Sequence, residues 1–207
     1  MASLGIRASL VLDSRHLADR QRQLDFVHAR LVGHVVRRLT RAGWRTAVEV
    51  PLRGDRPRGW IDLLAFREAD GALIVDETKT DVTDLGALGR SLGFYEREAR
   101  AAAAGLGWRA RSVTVLVTAL DSAALGGRLV ANRELVGRLF PVPLRDVAAW
   151  LADPVRERPG GWALGMVDPV GREAAWLRPT LLGSRRRPAY EDHADAAARL
   201  RGGRTGP

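Results

Sequence analysis

The sequence predicts an α/β domain in which one mixed sheet is flanked by helices. Three observations predict it. Apolar residues recur at helical spacing over Leu24–Leu39, and a second long helical segment follows at Asp84–Ala104. Three strand-like segments stand between the two helices. A β-branched run, Ser-Val-Thr-Val-Leu-Val-Thr within Arg111–Ala119, follows the second helix, so a helical crossover joins the third strand to the fourth and makes their pairing parallel.

The elements follow in order. Residues 1–18 form an N-terminal segment with a short strand at Ile6–Leu12. Asp19 or a neighbour opens the first helix, whose stripe is Leu24, Val27, Leu31, Val35 and Leu39. Gly43 ends it, with arginines in the last turn where the helix dipole favours cations. Arg45–Leu52, Trp60–Phe66 and Ala72–Thr80 read as a three-strand antiparallel meander, joined by the turn-rich Gly54-Asp-Arg-Pro-Arg-Gly59 and the polar Arg67–Gly71. Asp81–Thr83 offer capping residues for the crossover helix, and Gly105 and Gly107 end it. Residues 19–120 thus make the core and 121–183 an extension packed on it. The extension holds short helices at Ala131–Phe140 and Pro143–Leu151. Its hairpin has arms Trp162–Val167 and Glu173–Arg178 around Asp168-Pro-Val-Gly171. Residues 184–207 read as a basic, mobile tail with one helical turn near Asp192–Arg201.

The 207 residues suit one domain with appendages. Cysteine is absent, which excludes disulfides, zinc–thiolate sites and thiol nucleophiles. Residues 1–17 show no signal-peptide pattern and no stretch is long enough to span a membrane, so a cytoplasmic protein without a membrane partner is expected. The net charge of +9 favours a polyanionic partner, nucleic acid first.

The basic residues number 33 and only one, Lys79, is a lysine. Either one lysine survived by chance, or this position needs the compact ammonium that arginine cannot supply. Lys79 closes the run Ala72-Leu-Ile-Val-Asp-Glu-Thr-Lys-Thr80, in which Val75, Glu77 and Lys79 share a face. On the preceding strand, Asp62 stands among apolar neighbours and requires a partner, a proton or a metal. The short turn sets Asp62 close to Glu77. Two carboxylates that close repel unless a cation lies between them. Mg²⁺ or Mn²⁺ suits such hard oxygen ligands, and Lys79 is placed to orient or deprotonate an attacking water. A structural salt-bridge network of the same three residues is the plainer alternative.

Asp62 followed fifteen residues later by Glu77-Thr-Lys79 resembles the motif of the PD-(D/E)XK nuclease superfamily. More closely, Arg58-Gly-Trp-Ile-Asp-Leu-Leu-Ala-Phe66 with Ala72–Thr80 is similar to a bacterial group of restriction-endonuclease-like domains often fused to helix-turn-helix domains. The resemblance implies a restriction-endonuclease-like core and Mg²⁺-dependent hydrolysis of DNA phosphodiesters. Asp62 and Glu77 would be metal ligands, the Thr78 backbone carbonyl a further ligand, and Lys79 the catalytic lysine. The chain departs from the pattern at several points. No proline precedes Asp62, and the first helix has no glutamate, though Asp19, Asp25 and His28 lie near its start. Glu49 on the first strand reads first as a surface or turn carboxylate, with a place as third carboxylate of the set as the alternative. No helix-turn-helix segment is present, which leaves a homodimer or a separate DNA-binding partner as open arrangements. A nucleic-acid-binding or regulatory module on the same fold, with catalysis weak or lost, is the alternative function.

Other candidates read as structural. His28 and His34, six positions apart, do not share a helix face well. Arg90 and Tyr95 read as solvated or packing residues, and the six tryptophans as packing residues and not as stacking platforms for bases.

Overall fold

The chain is described by a computed structural model covering residues 15–52, 59–183 and 186–202. The Ile6–Leu12 strand, most of the turn at 54–59, and Arg185 lie outside those residues. Among the described residues six strands form one open sheet in sequence order. They are β1 (Arg45–Pro51), β2 (Trp60–Arg67), β3 (Ala72–Lys79), β4 (Ser112–Leu120), β5 (Trp162–Val167) and β6 (Leu177–Arg178). The β1–β2–β3 meander is antiparallel, as expected, and β4 is parallel to β3. Beyond expectation, β5 continues the sheet parallel to β4, and the hairpin's second arm shrinks to the two residues of β6.

Helices cover both faces. Alternation along β3 and β4 sends Leu73, Val75, Val115 and Val117 into one core, with α2 (Leu85–Gly105), α3 (Ala123–Ala131) and α4 (Arg133–Leu139). Ala72, Ile74 and Leu116 enter the other, with α1 (Arg15–Arg41), α5 (Leu144–Ala152) and α6 (His193–Gly202). Strands covered on both faces read as continuous apolar runs, which is why β3 and β4 show little polar alternation. Among the described residues no helix is long and apolar enough to cross a membrane.

The departures have local causes. Helix α1 begins four residues before Asp19, and Arg15-His-Leu-Ala18 contains no glycine or proline to stop it. The cap of α2 is Asp84 and not Asp81–Thr83. Its Oδ1 accepts from the Ala87 N–H at 2.8 Å. Helix α3 is unforeseen because Gly126-Gly127 weaken the helical pattern. Gly126 is required by packing, since a Cβ there would meet Leu181 Cδ1 at 2.4 Å. The tail is not mobile over 186–202. Ala196, Ala197 and Leu200 of α6 are buried in the α1-side core, and the buried Tyr190 donates to Asp168 Oδ1 at 2.8 Å. Three small or apolar residues in a polar segment are a weak sequence signal, but they suffice once α1 supplies the other half of the contact.

The β2–β3 turn fixes the register of the two strands that carry the predicted site. Gly71 has φ +66°, and its carbonyl accepts from the Arg111 and Ser112 N–H groups at 2.7 and 3.3 Å. A Cβ would also press on Arg111 Cγ at 2.7 Å. Gly71→Ala is therefore expected to lower stability by about 1–2 kcal/mol, read as a fall in Tm.

Candidate functional site

The β2–β3 ladder ends at the pair Leu63–Asp76, so the next step of register sets Asp62 against Glu77. Regular pairing stops there and side chains take over. Asp62 Oδ2 accepts from the Thr78 N–H at 2.9 Å, and Asp62 Oδ1 lies 3.7 Å from His28 Nε2 on α1. In an extended strand a residue's N–H and C=O leave the backbone on the same side, so the Thr78 carbonyl also points toward β2.

Glu77 is only 4 % exposed. Lys79 Nζ donates to its Oε1 at 2.6 Å, while Oε2 is buried with no hydrogen-bond partner among the described residues. Burial, and then the Asp62 charge, push the Glu77 carboxyl up to about 7, against the pull of Lys79. Tyr95 of α2 is raised by burial and by the charges of Glu77 and Asp62, which places its phenol in the same field. The Asp62, Glu77 and Lys79 side chains therefore meet at the open end of β2 and β3.

A cleft of about 190 Å³ opens there, lined by Asp25, His28, Asp62, Thr78, Lys79, Thr80 and Asp81. Glu77 does not line it. It lies behind Lys79, which holds it in an internal ion pair. Beneath the site, the fully buried Asp76 accepts through Oδ1 from Thr78 Oγ1 at 3.1 Å and Thr118 Oγ1 at 3.0 Å. Burial raises the Asp76 carboxyl well above its usual range despite those two hydroxyls. Asp76 thus ties β3 to β4 directly under Glu77.

Glu49 is not brought into the cleft. It is exposed on β1, between Val48 paired with Leu63 and Val50 paired with Ile61. Register sets its backbone beside Asp62, yet its carboxylate lines no part of the site. Its φ of +50° is left-handed, a conformation costing about 1 kcal/mol for a residue with a Cβ. The strand is thus distorted where β1 passes the site.

Residues read from the sequence in other roles complete the surroundings. His28 and Asp25 reach the cleft because α1 crosses the end of β2, a tertiary placement no local pattern encodes. Asp81 lines it while paired with Arg128 of α3 at 2.9 Å. Tyr95 packs against the α2-side core, as expected, within the electrostatic reach of Glu77 and Asp62. Trp60 departs from the packing role given to the tryptophans, being 56 % exposed two residues before Asp62. Trp44 and Trp150 are buried as expected, and their rings meet edge-on at 5.2 Å.

The oxygens here are of the type hard divalent cations take, although Glu77 itself stands behind Lys79 and does not line the cleft. Asp62 and Glu77 are carboxylates, the Thr78 carbonyl faces the same gap, and Glu77 Oε2 is a buried oxygen without a donor. Among the described residues no group of three or more His, Cys, Asp or Glu side chains could hold a metal ion, so any such site relies on backbone and solvent oxygens for the rest of its shell. No family model matches the chain, and no curated protein is significantly similar to it in sequence.

Proposed function

We propose that the protein is a Mg²⁺-dependent nuclease of the PD-(D/E)XK type that hydrolyses DNA phosphodiester bonds at the β2–β3 end. The observation that carries this is the buried, partnerless Oε2 of Glu77 next to Asp62, with the single lysine of the chain 2.6 Å from the other Glu77 oxygen. Asp62, Glu77 and the Thr78 carbonyl would hold the ion. When bound, Mg²⁺ acidifies water and neutralises charge developing on a phosphate. The remaining tasks fall to the chain. The Thr78 N–H holds Asp62 in place. Lys79, released from Glu77 once that carboxylate has another cation, turns its ammonium to the attacking water and the phosphate oxygens. The ammonium has no lone pair to accept a proton, so Lys79 orients the water and the phosphate. The proton that water loses as it attacks phosphorus leaves to solvent through the open cleft, and the departing oxygen takes one back from solvent.

Nicking of supercoiled plasmid in Mg²⁺ or Mn²⁺ tests this. The unchanged protein is expected to nick, and Asp62→Ala and Lys79→Ala are each expected to slow nicking about a hundredfold or more. Nicking that survives both changes would place the chemistry elsewhere or in a contaminant.

A second reading has its own support. Glu77 is satisfied on one oxygen by Lys79 without any ion, and the first helix carries no glutamate. Those features suit a nucleic-acid-binding or regulatory module that has lost catalysis. Such a module would bind DNA with a steep salt dependence and show no metal binding that depends on Asp62.

A further inference from the structure

A second feature lies on the opposite flank of α1. At 100° per residue, Arg30, His34, Arg37, Arg38 and Arg41 fall within one stripe about 100° wide, on the other side of the buried stripe from Asp25 and His28. The stripe faces the turn after β5, and together they enclose a cleft of about 470 Å³ whose far wall carries Arg172. Five guanidiniums thus line one cavity. Among the described residues, no carboxylate lies within ion-pair distance of any of them.

The cleft is built. Arg38 Nη2 donates to the Gly171 carbonyl at 2.8 Å, and its Nε–H is directed at His34 Nε2 at 3.3 Å. His34 is buried, and its Nδ1 lies 3.0 Å from the Pro169 carbonyl. A neutral His34 with its proton on Nδ1 satisfies both contacts, and burial favours that neutral form. Helix and turn are thus locked together, and Arg38 is oriented with its remaining N–H groups free of carboxylate. Burial, then Arg41 and Arg37, lower the Arg38 guanidinium, which marks mutual repulsion within the cluster. Asp168 at the start of the turn acts on His34 only at longer range, so repelling cations without an ion-paired carboxylate among the described residues, held on a rigid scaffold, call for an anion.

We propose that this cleft grips the phosphate backbone of a nucleic acid, as an anchoring surface separate from the Asp62–Glu77–Lys79 site. Length selects an extended polyanion over a small one. From Arg30 to Arg41 the helix rises about 16 Å, while one DNA strand carries a charge every ~3.4 Å of axis. Guanidinium selects phosphate, which its planar fork engages with two hydrogen bonds. The identity of the polyanion rests on the function proposed above, but the grip itself needs no catalysis.

Anisotropy of a short labelled DNA duplex, measured in EDTA over a range of salt, tests the anchor. The unchanged protein is expected to bind with a steep salt slope. Arg37→Gln/Arg41→Gln changes exposed side chains only, so its Tm should hold or rise as repulsion falls. It is expected to weaken binding about tenfold or more at about 0.1 M salt and to flatten the log–log slope by about two. Arg172→Gln, on the other wall, should flatten it by about one. Affinity and slope unaffected by the arginine changes would overturn the anchor. So would displacement of the duplex by tripolyphosphate or polyglutamate at equal charge concentration, which would indicate a small-polyphosphate or acidic-protein site. Arginine-dependent binding by a protein that never nicks DNA would leave the anchor standing and remove the nuclease, whereas Asp62-dependent nicking with arginine-independent binding would do the reverse.

Discussion

Glu77→Gln is expected to yield a protein that is more heat-stable near pH 8 and at least about a hundredfold slower on DNA. The loss of rate follows from removing a carboxylate from the proposed metal site. The gain follows from the titration of Glu77. Its carboxyl titrates at about 7 in the fold, against 4.5 normally. A raised carboxyl favours the folded state only while protonated. Below about 4.5 both states hold the proton and nothing is lost. As pH rises from there to about 7 the unfolded chain releases its proton first, so stability falls. Above about 7 the loss is complete, up to about 3 kcal/mol. Glutamine occupies nearly the same volume without the charge, and Lys79, partly exposed, keeps an oxygen to donate to. At 2–4 °C per kcal/mol for a chain of this size, Tm should rise by roughly 5 °C or more at pH 8 and hardly at all at pH 4. Thermal denaturation of both proteins across that range checks it. A glutamine variant less stable at pH 8 would show that Glu77 is a stabilising partner of Lys79 and no strained ligand. Added Mg²⁺ should narrow the gap by stabilising only the unchanged protein.

Arg67→Ala is expected to cost about 3 kcal/mol, the largest destabilisation among the changes considered. Arg67 is buried at the end of β2 farthest from the site. Its Nη1 donates to the Trp150 carbonyl at 2.9 Å, and Nε and Nη2 fork onto Asp70 at 3.2 and 2.8 Å. Its guanidinium carbon lies 4.3 Å from the Trp44 ring centre and 5.1 Å from that of Trp150. The planar cation thus fastens β2, the β2–β3 turn, α5 and the start of β1. Alanine would leave a cavity between two indoles and a buried carbonyl without a donor. Burial alone would raise Asp70, yet Arg67 and the Ala72 N–H hold it below its usual range, a support the variant loses. Tm should fall by on the order of 10 °C. Arg67→Lys should recover only part, because an ammonium cannot fork and stack at once. A loss under about 1 kcal/mol for Arg67→Ala would mean that the indoles close over the gap unaided.

Both variants act on β2 and β3, the part of the fold most legible in the sequence. Alternation and turn residues located these strands within a residue or two, because each is bounded by glycine or polar turns and packs on both faces. Pairing between distant segments was less legible. Nothing local in Trp162–Val167 states that it lies parallel to β4, and α3 was obscured by Gly126, whose reason is a contact with Leu181 far along the chain. Helix α6 buries too few residues to announce itself. At the candidate site, the identities and proximity of Asp62, Glu77 and Lys79 were readable from spacing. The Lys79–Glu77 lock and the His28 approach were not, since they depend on side-chain rotamers and on where α1 crosses, whereas Glu49 is exposed, as the surface reading of it expects. The arginines of α1 were visible as a charge run, but only the turn at 169–172 makes them a cleft.

The most direct test is a calorimetric titration of Mn²⁺ into the unchanged protein, Asp62→Ala and Glu77→Gln at neutral pH. If Asp62 and Glu77 share one cation, the unchanged protein gives saturable binding and both variants lose it while remaining folded. Binding of equal strength in all three, or none in any, would contradict a metal site at the β2–β3 end.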